Sequence, residues 1–291
     1  MNERIVIIGA GHAGGTAAAL LRQHGWQGAI TLIGEEPVTP YQHPPLSKTW
    51  LTTAAEEPRI ALRPDNFYTD KNIEMRLDTR VVEIDRAARD VILESNERIG
   101  YGRLILATGC RARQLKVPGI DFANVFALRS IADARRLKSA IRPGCRLAII
   151  GGGYIGLEVA ASACTAGMDA TVIERESRLL ARVASPLLSS FFHDAHHARG
   201  VEIELSADVA EIAGLNARAT SVRLADGRTI DCDAVLVGVG VSVNEELAAA
   251  AGLVCENGVV VDMAARTSDP AIYAIGDCTR RPLALYGQSW R

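Results

Sequence analysis

Paired cysteines are the first thing this chain lacks. Its 291 residues include six, Cys110, Cys145, Cys164, Cys232, Cys255 and Cys278, each standing alone, with no CxxC or CxxxxC spacing between any two. That pattern argues against a structural zinc site, a disulfide framework and a dithiol redox centre, and it leaves most of the thiols as small buried hydrophobes. An excess of one charge is also missing: 32 Lys and Arg stand against 34 Asp and Glu, a formal net charge of −2, so nothing in the balance calls for a nucleic-acid partner. No apolar run reaches the length of a membrane span. The N-terminus enters a strand almost at once, without a basic segment and cleavage site, so the expected location is cytoplasmic, with no membrane partner.

What is present is glycine in two ordered clusters. Gly9-Ala10-Gly11-His12-Ala13-Gly14 directly follows Arg4-Ile5-Val6-Ile7-Ile8, and Gly151-Gly152-Gly153-Tyr154-Ile155-Gly156 directly follows Arg146-Leu147-Ala148-Ile149-Ile150. A single GxGxxG is a weak sign, because a glycine turn between strand and helix can serve packing alone. Here both copies follow a β-branched strand and open an Ala/Leu-rich helical stretch. Each is also followed, after the next strand, by a carboxylate: Glu35 behind Ile30-Thr31-Leu32-Ile33 and Glu174 behind Thr171-Val172-Ile173, 26 and 23 residues past the first glycine. Such spacing sets an acidic side chain on an adenosine ribose. The first glycine makes the turn, the second lets backbone N–H groups approach a pyrophosphate, and the third allows close packing of helix on strand. The pair predicts an α/β protein with two Rossmann-like domains, each holding a dinucleotide, and the hydrophobic fraction of 48% suits two cores of buried parallel sheet.

Between the fingerprints, residues 37–64 are punctuated by proline and read as a long excursion over the first site. Residues 81–85 and 90–94 read as antiparallel strands leading into the buried strand 103–107, and Pro118-Gly119 reads as a domain boundary. Helices are expected over 131–141 and 187–199, and further strands over 202–205, 219–224 and 234–240. The tail, with strands at 259–262 and 272–277, holds no third fingerprint. It most simply completes the first domain, so the second domain is inserted into it.

Beyond the fingerprints the chain carries, in order, Pro44-Pro45-Leu46-Ser47-Lys48, Ala107-Thr108-Gly109, Ala127-Leu128-Arg129, Gly238-Val239-Gly240 and Gly276-Asp277-Cys278. With these motifs it resembles, over essentially its whole length, the putidaredoxin reductase-like family of FAD-dependent NADH:ferredoxin reductases. The resemblance implies a glutathione reductase-like architecture, with an FAD domain at 1–117 and 243–291 and an NAD domain at 118–242. It also implies electron flow from NADH through FAD to a small [2Fe–2S] ferredoxin that feeds an oxygenase or cytochrome P450. Gly9, Gly11, Ala13 and Gly14 would meet the FAD pyrophosphate, Glu35 the adenosine ribose, the Val81 backbone the adenine, and Asp277, beside Gly276, the ribityl chain. Thr108, Gly109 and Arg129 would also contact FAD, although for Val81 and Arg129 a core position or a solvated charge is an equal alternative. Gly151, Gly153, Ile155, Gly156 and Gly240 would hold NADH. Tyr154 is either near the nicotinamide or simply packed. Glu174 would accept from a ribose 2′-OH and repel a 2′-phosphate, favouring NADH over NADPH despite the neighbouring Arg175 and Arg178. Lys48 and Glu158 are expected as an ion pair beside the flavin that tunes hydride acceptance, and no nucleophile is needed.

Three departures from the family accompany the likeness. His43 stands where relatives often carry arginine, and the loop Val241-Ser242-Val243-Asn244 lacks the usual proline. The chain also ends at Trp290-Arg291, where relatives continue into a helix over the flavin and a third domain, so the C-terminal interface domain is expected to be absent. Rival readings are a reductase with rubredoxin, quinone or oxygen as acceptor, a peroxide or disulfide reductase, and an inactive truncated nucleotide-binding module. The disulfide class would need a redox cysteine in 44–48, where none stands. The basic group Arg129, Arg135, Arg136 and Lys138 is either an attractor for an acidic ferredoxin or a solvated helix face.

Overall fold

The computed structural model describes residues 4–53, 60–64, 66–283 and 288–290. The chain forms two compact units: Met1–Gln42, Ile60–Arg111 and Ser242–Arg291 make unit one, and His43–Arg59 with Ala112–Val241 make unit two. Residues 43–59 and 112–117, grouped with the first domain on sequence, therefore belong to unit two. The cause for the first segment is packing: Trp50, in the short helix Thr49–Thr52, is fully buried, and the Ser162 hydroxyl donates to the Ser47 carbonyl at 2.8 Å.

In unit one, five parallel strands are ordered Ile272–Ala274, Arg103–Leu106, Ile5–Ile8, Ile30–Ile33, Ile73–Arg76. Every residue of Ile5–Ile8 and Ile30–Ile33 is buried, which is why these segments read as unbroken apolar runs: both faces of the sheet are covered. Successive side chains take opposite faces. Ile5 and Ile7 cluster with Leu32, Tyr68 and Ala18 of the helix His12–Gln23. Val6 and Ile8 cluster instead with Leu104, Val91, Leu93 and Tyr101. The antiparallel strands Val81–Asp85, Asp90–Leu93 and Arg98–Gly100 supply that second layer.

Unit two repeats the plan. Its parallel strands are ordered Glu202–Glu204, Asp169–Ile173, Arg146–Ile150, Ala234–Val237, Val125–Phe126. Ala148 and Ile150 face a cluster with Ile212, Val222 and Leu224 from the antiparallel strands Val209–Leu215, Arg218–Leu224 and Thr229–Asp231. Its longer helices are Ile131–Ala140, Tyr154–Thr165 and Pro186–His197. The first opens on a reciprocal capping box between Ser130 and Asp133, and the last on Ser185, whose hydroxyl accepts from the Leu188 N–H, with Pro186 at the first helical position. No helix among the described residues is long and apolar enough to cross a membrane.

Candidate functional site

In unit one the glycine turn leaves the central strand at Ile8. The Gly9 N–H donates to the Ile33 carbonyl at 2.8 Å, and Gly9 takes φ 111°, where a Cβ would sit 2.1 Å from the Ala107 carbonyl oxygen. A Cβ on Gly14 would sit 1.9 Å from the Gly9 carbonyl oxygen, so the third glycine is what lets the helix close onto the turn. Gly11 is different: no atom lies within 4 Å of where its Cβ would be. Gly11 is also the N-cap of His12–Gln23, with no side-chain cap and no acidic residue in the first turn. The positive end of the helix dipole and its unsatisfied N–H groups thus face an open side of the turn, as an anion requires.

Of the other expected residues of unit one, Thr108 and Gly276 lie against this turn. A Cβ on Gly276 would lie 2.8 Å from the Ala13 Cβ, which sets the exposed Asp277 at the start of the helix; its Oδ2 accepts from the Cys110 thiol at 3.5 Å. Asn244 clamps the Thr108-Gly109 turn from three sides. Its Nδ2 donates to the Thr108 carbonyl at 2.8 Å, its N–H to the Gly109 carbonyl at 3.0 Å, and its own carbonyl accepts from the Thr108 hydroxyl at 2.7 Å. Val81 is buried in its strand, and Glu35 is 71% exposed with its Oε1 3.5 Å from Arg80 Nε.

The unit-two turn matches in detail. Gly151 takes φ 113°, donates to the Ile173 carbonyl at 2.8 Å, and would place a Cβ 2.5 Å from the Gly238 carbonyl oxygen. A Cβ on Gly156 would lie 2.1 Å from the Gly151 carbonyl oxygen, while Gly153 has an open face and caps Tyr154–Thr165 without side-chain help. Tyr154 and Ile155 are 51% and 43% exposed at this helix start, not packed in the core. Gly240 takes φ 103° and accepts from the Arg113 N–H at 2.9 Å.

Glu174 is fixed by backbone. Its Oε2 accepts from the Gly152 N–H at 2.7 Å and its Oε1 from the Glu176 N–H at 2.8 Å, which holds the carboxylate beside the glycine turn. Of the two neighbouring arginines, Arg178 is committed elsewhere: it donates to the Ala184 and Ala181 carbonyls and to the Ser189 hydroxyl at 2.7–2.8 Å. Arg175 is exposed, 3.5 Å from Glu176. Only Arg175 remains to answer a 2′-phosphate, against a fixed carboxylate.

Unit two also brings Lys48 and Glu158 together. Lys48 Nζ lies 2.8 Å from Glu158 Oε2 and 3.3 Å from the Pro44 carbonyl. The same Oε2 accepts a 2.5 Å hydrogen bond from the hydroxyl of Ser47, which is 2% exposed. The motif alone assigns Ser47 no role, and the one signal for it in the sequence is its place beside Lys48. Arg129 is half-buried in unit two, one residue before the Ser130 cap, and its N–H donates to Asp133 Oδ2 at 3.0 Å.

None of the six cysteines is in a disulfide. Burial pushes Cys232 up to about 12 and raises Cys164 and Cys255 as well, the opposite of what activates a thiol.

These two turns define a class of two-dinucleotide oxidoreductase, and sequence comparison agrees: residues 3–289 match the pyridine nucleotide-disulphide oxidoreductase family, to which the chain belongs. Its cofactors are FAD and NAD(H), and both turns fit a dinucleotide, since each leaves an open, uncapped helix start where any side chain on the flanking glycines would strike backbone. Over 285 residues the chain is 49% identical to the probable ferredoxin reductase CtmF of Castellaniella defragrans, covering 98% of this chain and 70% of that one. It is 44% identical to a rubredoxin-NAD(+) reductase of Pseudomonas putida, covering 97% of this chain and 74% of that one. Among solved structures, putidaredoxin reductase in its covalent complex with putidaredoxin matches at a TM-score of 0.96 and 38% identity, over 100% of this chain and 71% of that one.

Proposed function

We propose that the protein is an NADH:ferredoxin reductase, carrying electrons from NADH through FAD to a small iron–sulfur protein of the [2Fe–2S] type. The observation that carries this reading is the presence in one chain of two glycine turns shaped alike, only one of which has its ribose carboxylate fixed in place. When bound, FAD accepts a hydride from NADH and passes its electrons on singly. The protein's part is position and polarity.

In unit one, Gly9, Gly11, Ala13 and Gly14 offer the helix start to the FAD pyrophosphate. Glu35 takes the adenosine ribose, Val81 the adenine, and Thr108, Gly109, Gly276 and Asp277 the remaining length, with Arg129 as a further contact. In unit two, Gly151, Gly153, Ile155, Gly156 and Gly240 hold NADH, Tyr154 borders the nicotinamide end, and Glu174 selects the free 2′-hydroxyl. Lys48 is the cation set toward the reacting end, and Glu158, itself held by Ser47, fixes where that cation points. A pair exposed to this extent contributes little to stability, which leaves orientation as its use.

A second reading keeps the same machinery and replaces the acceptor. The likeness to a rubredoxin-NAD(+) reductase at 44% identity favours rubredoxin as that alternative. The deciding experiment reduces the FAD-loaded protein with NADH in the absence of oxygen, then mixes it with a [2Fe–2S] ferredoxin or with rubredoxin and follows each acceptor's spectrum. Faster reduction of ferredoxin supports the proposal, and faster reduction of rubredoxin replaces it. A flavin that NADH does not bleach refutes both.

A further inference from the structure

The end of the unit-two sheet opposite its glycine turn holds a solvent-open recess of about 350 Å³. Asn124, Cys145 and Asp233 line it, and each is the residue just before a strand, Val125–Phe126, Arg146–Ile150 and Ala234–Val237 respectively. Gly151 and Gly238 follow the far ends of the latter two strands, so the length of a five-residue strand, roughly 16 Å, separates the recess from the turn.

Arg136, Arg142 and Arg218 also line the recess. Among the described residues none of these three guanidinium groups has a hydrogen-bond or ion-pair partner, whereas Arg86, Arg98, Arg111, Arg178 and Arg228 are each bound to acceptors. Arg136 is placed by the Phe126 ring, whose centroid lies 5.7 Å from its Cζ. The one carboxylate in the wall, Asp233, is already neutralised: its Oδ2 accepts from the Arg146 N–H at 2.8 Å and from Arg146 Nε at 3.3 Å, and its Oδ1 from Arg146 Nη2 at 3.2 Å. The wall is also built rather than fluid. The buried Asn124 side chain donates to the Ala219 and Asp233 carbonyls and accepts from the Ala219 N–H, all at 2.7–2.9 Å.

We propose that this recess binds a compact polyanion, a small molecule bearing two or more phosphate or carboxylate groups. Three unpaired guanidinium forks around one recess match such groups bidentately, and they repel one another until an anion enters. The volume is that of a small-molecule site.

Cys145 provides a reporter inside the wall. With FAD and NAD⁺ saturating the two dinucleotide sites, its alkylation by iodoacetamide is followed by peptide mass spectrometry at fixed ionic strength, with tripolyphosphate or with citrate. The expected result is slowing of about fivefold at an anion concentration four times its dissociation constant, with the half-exposed Cys164 unchanged. Arg142→Ser with Arg218→Ser should abolish the protection, and Arg142→Ser alone should weaken it; both residues are exposed, and unaltered melting confirms that the fold is kept. Protection by tripolyphosphate alone assigns phosphate chemistry, and by citrate alone carboxylate chemistry. Protection by neither anion, protection that persists in the double variant, or equal slowing at Cys164 overturns the proposal.

Discussion

The two glycine turns share their backbone, with φ 111° at Gly9 and 113° at Gly151, and exchange their side chains. After its first glycine unit one has Ala10 and closes its second strand with Gly34; unit two has Gly152 and closes with Glu174. A Cβ on Gly34 would lie 2.4 Å from the Ala10 Cβ, and one on Gly152 would lie 3.1 Å from the Glu174 Cβ and 2.6 Å from Leu179 Cδ2. There is room for one side chain at this contact, not two. Where glycine takes the first position, the carboxylate sits against the turn and is held by its N–H groups. Where alanine takes it, the carboxylate moves one residue on, to the exposed Glu35. The fixed geometry suits a nucleotide that must be discriminated at each turnover, and the looser one a cofactor held along its whole length.

The largest test of this comparison is Gly9→Ala against Gly151→Ala. Each forces a side chain into a left-handed conformation and onto a carbonyl oxygen, at an expected cost of roughly 3 kcal/mol or more. The first should purify without flavin, and the second should keep its yellow colour but fail to bleach with NADH. If either variant loses both properties, the turns do not act independently.

Next in size, Glu174→Ala should weaken NADH binding about 30-fold, or ~2 kcal/mol, while Gly152→Ala should displace the carboxylate and cost about tenfold. Glu35→Ala should weaken FAD binding by no more than about fivefold. Titration of each variant with its nucleotide ranks them, and equal losses at Glu35 and Glu174 would erase the contrast.

A smaller effect is expected at the ion pair. Lys48→Ala should slow flavin reduction by NADH about tenfold, and Ser47→Ala about threefold, since Ser47 acts only through Glu158. Stopped-flow reduction rates test this, and an unchanged rate for Lys48→Ala removes the pair from the reaction.

The smallest concerns stability. Hydrogen bonds from the Arg146 side chain and N–H hold the Asp233 carboxyl below the usual carboxylate range. That contribution is present above the ordinary carboxylate pKa near 4 and is lost as pH falls through the lower folded value. With both side chains nearly half exposed, Arg146→Gln should lower the urea midpoint only slightly at pH 7, and by less as the pH falls through the carboxyl's lowered range, measured by urea unfolding across that range.

The central strands and both glycine turns were legible in the sequence because a β-branched run followed by GxGxxG leaves the backbone little choice. Val125–Phe126 was not, since two residues carry no periodicity, and its place at the sheet edge comes from pairing with Ala234–Val237. The motif 44–48 was visible, yet its membership of unit two depends on the burial of Trp50 and on the Ser162–Ser47 bond, 115 residues apart in the chain. Arg178 looked available to a phosphate beside Glu174, and only its three acceptors reveal that it braces the loop behind. Around Asn244 the sequence shows only a missing proline, while its clamp on Thr108 is a contact across 136 positions that no local pattern announces.

That clamp has a consequence for how such a chain is put together. From the standpoint of the first sheet, everything between Gly109 and Asn244 is a polymer loop whose two ends are fastened side by side. The entropy of closing a loop grows only with the logarithm of its length, about 0.6 kcal/mol for each doubling. By that scaling an entire nucleotide-binding unit costs only about 3 kcal/mol more than a short hairpin to hang from the same three hydrogen bonds, which makes this junction a natural point for grafting one domain into another.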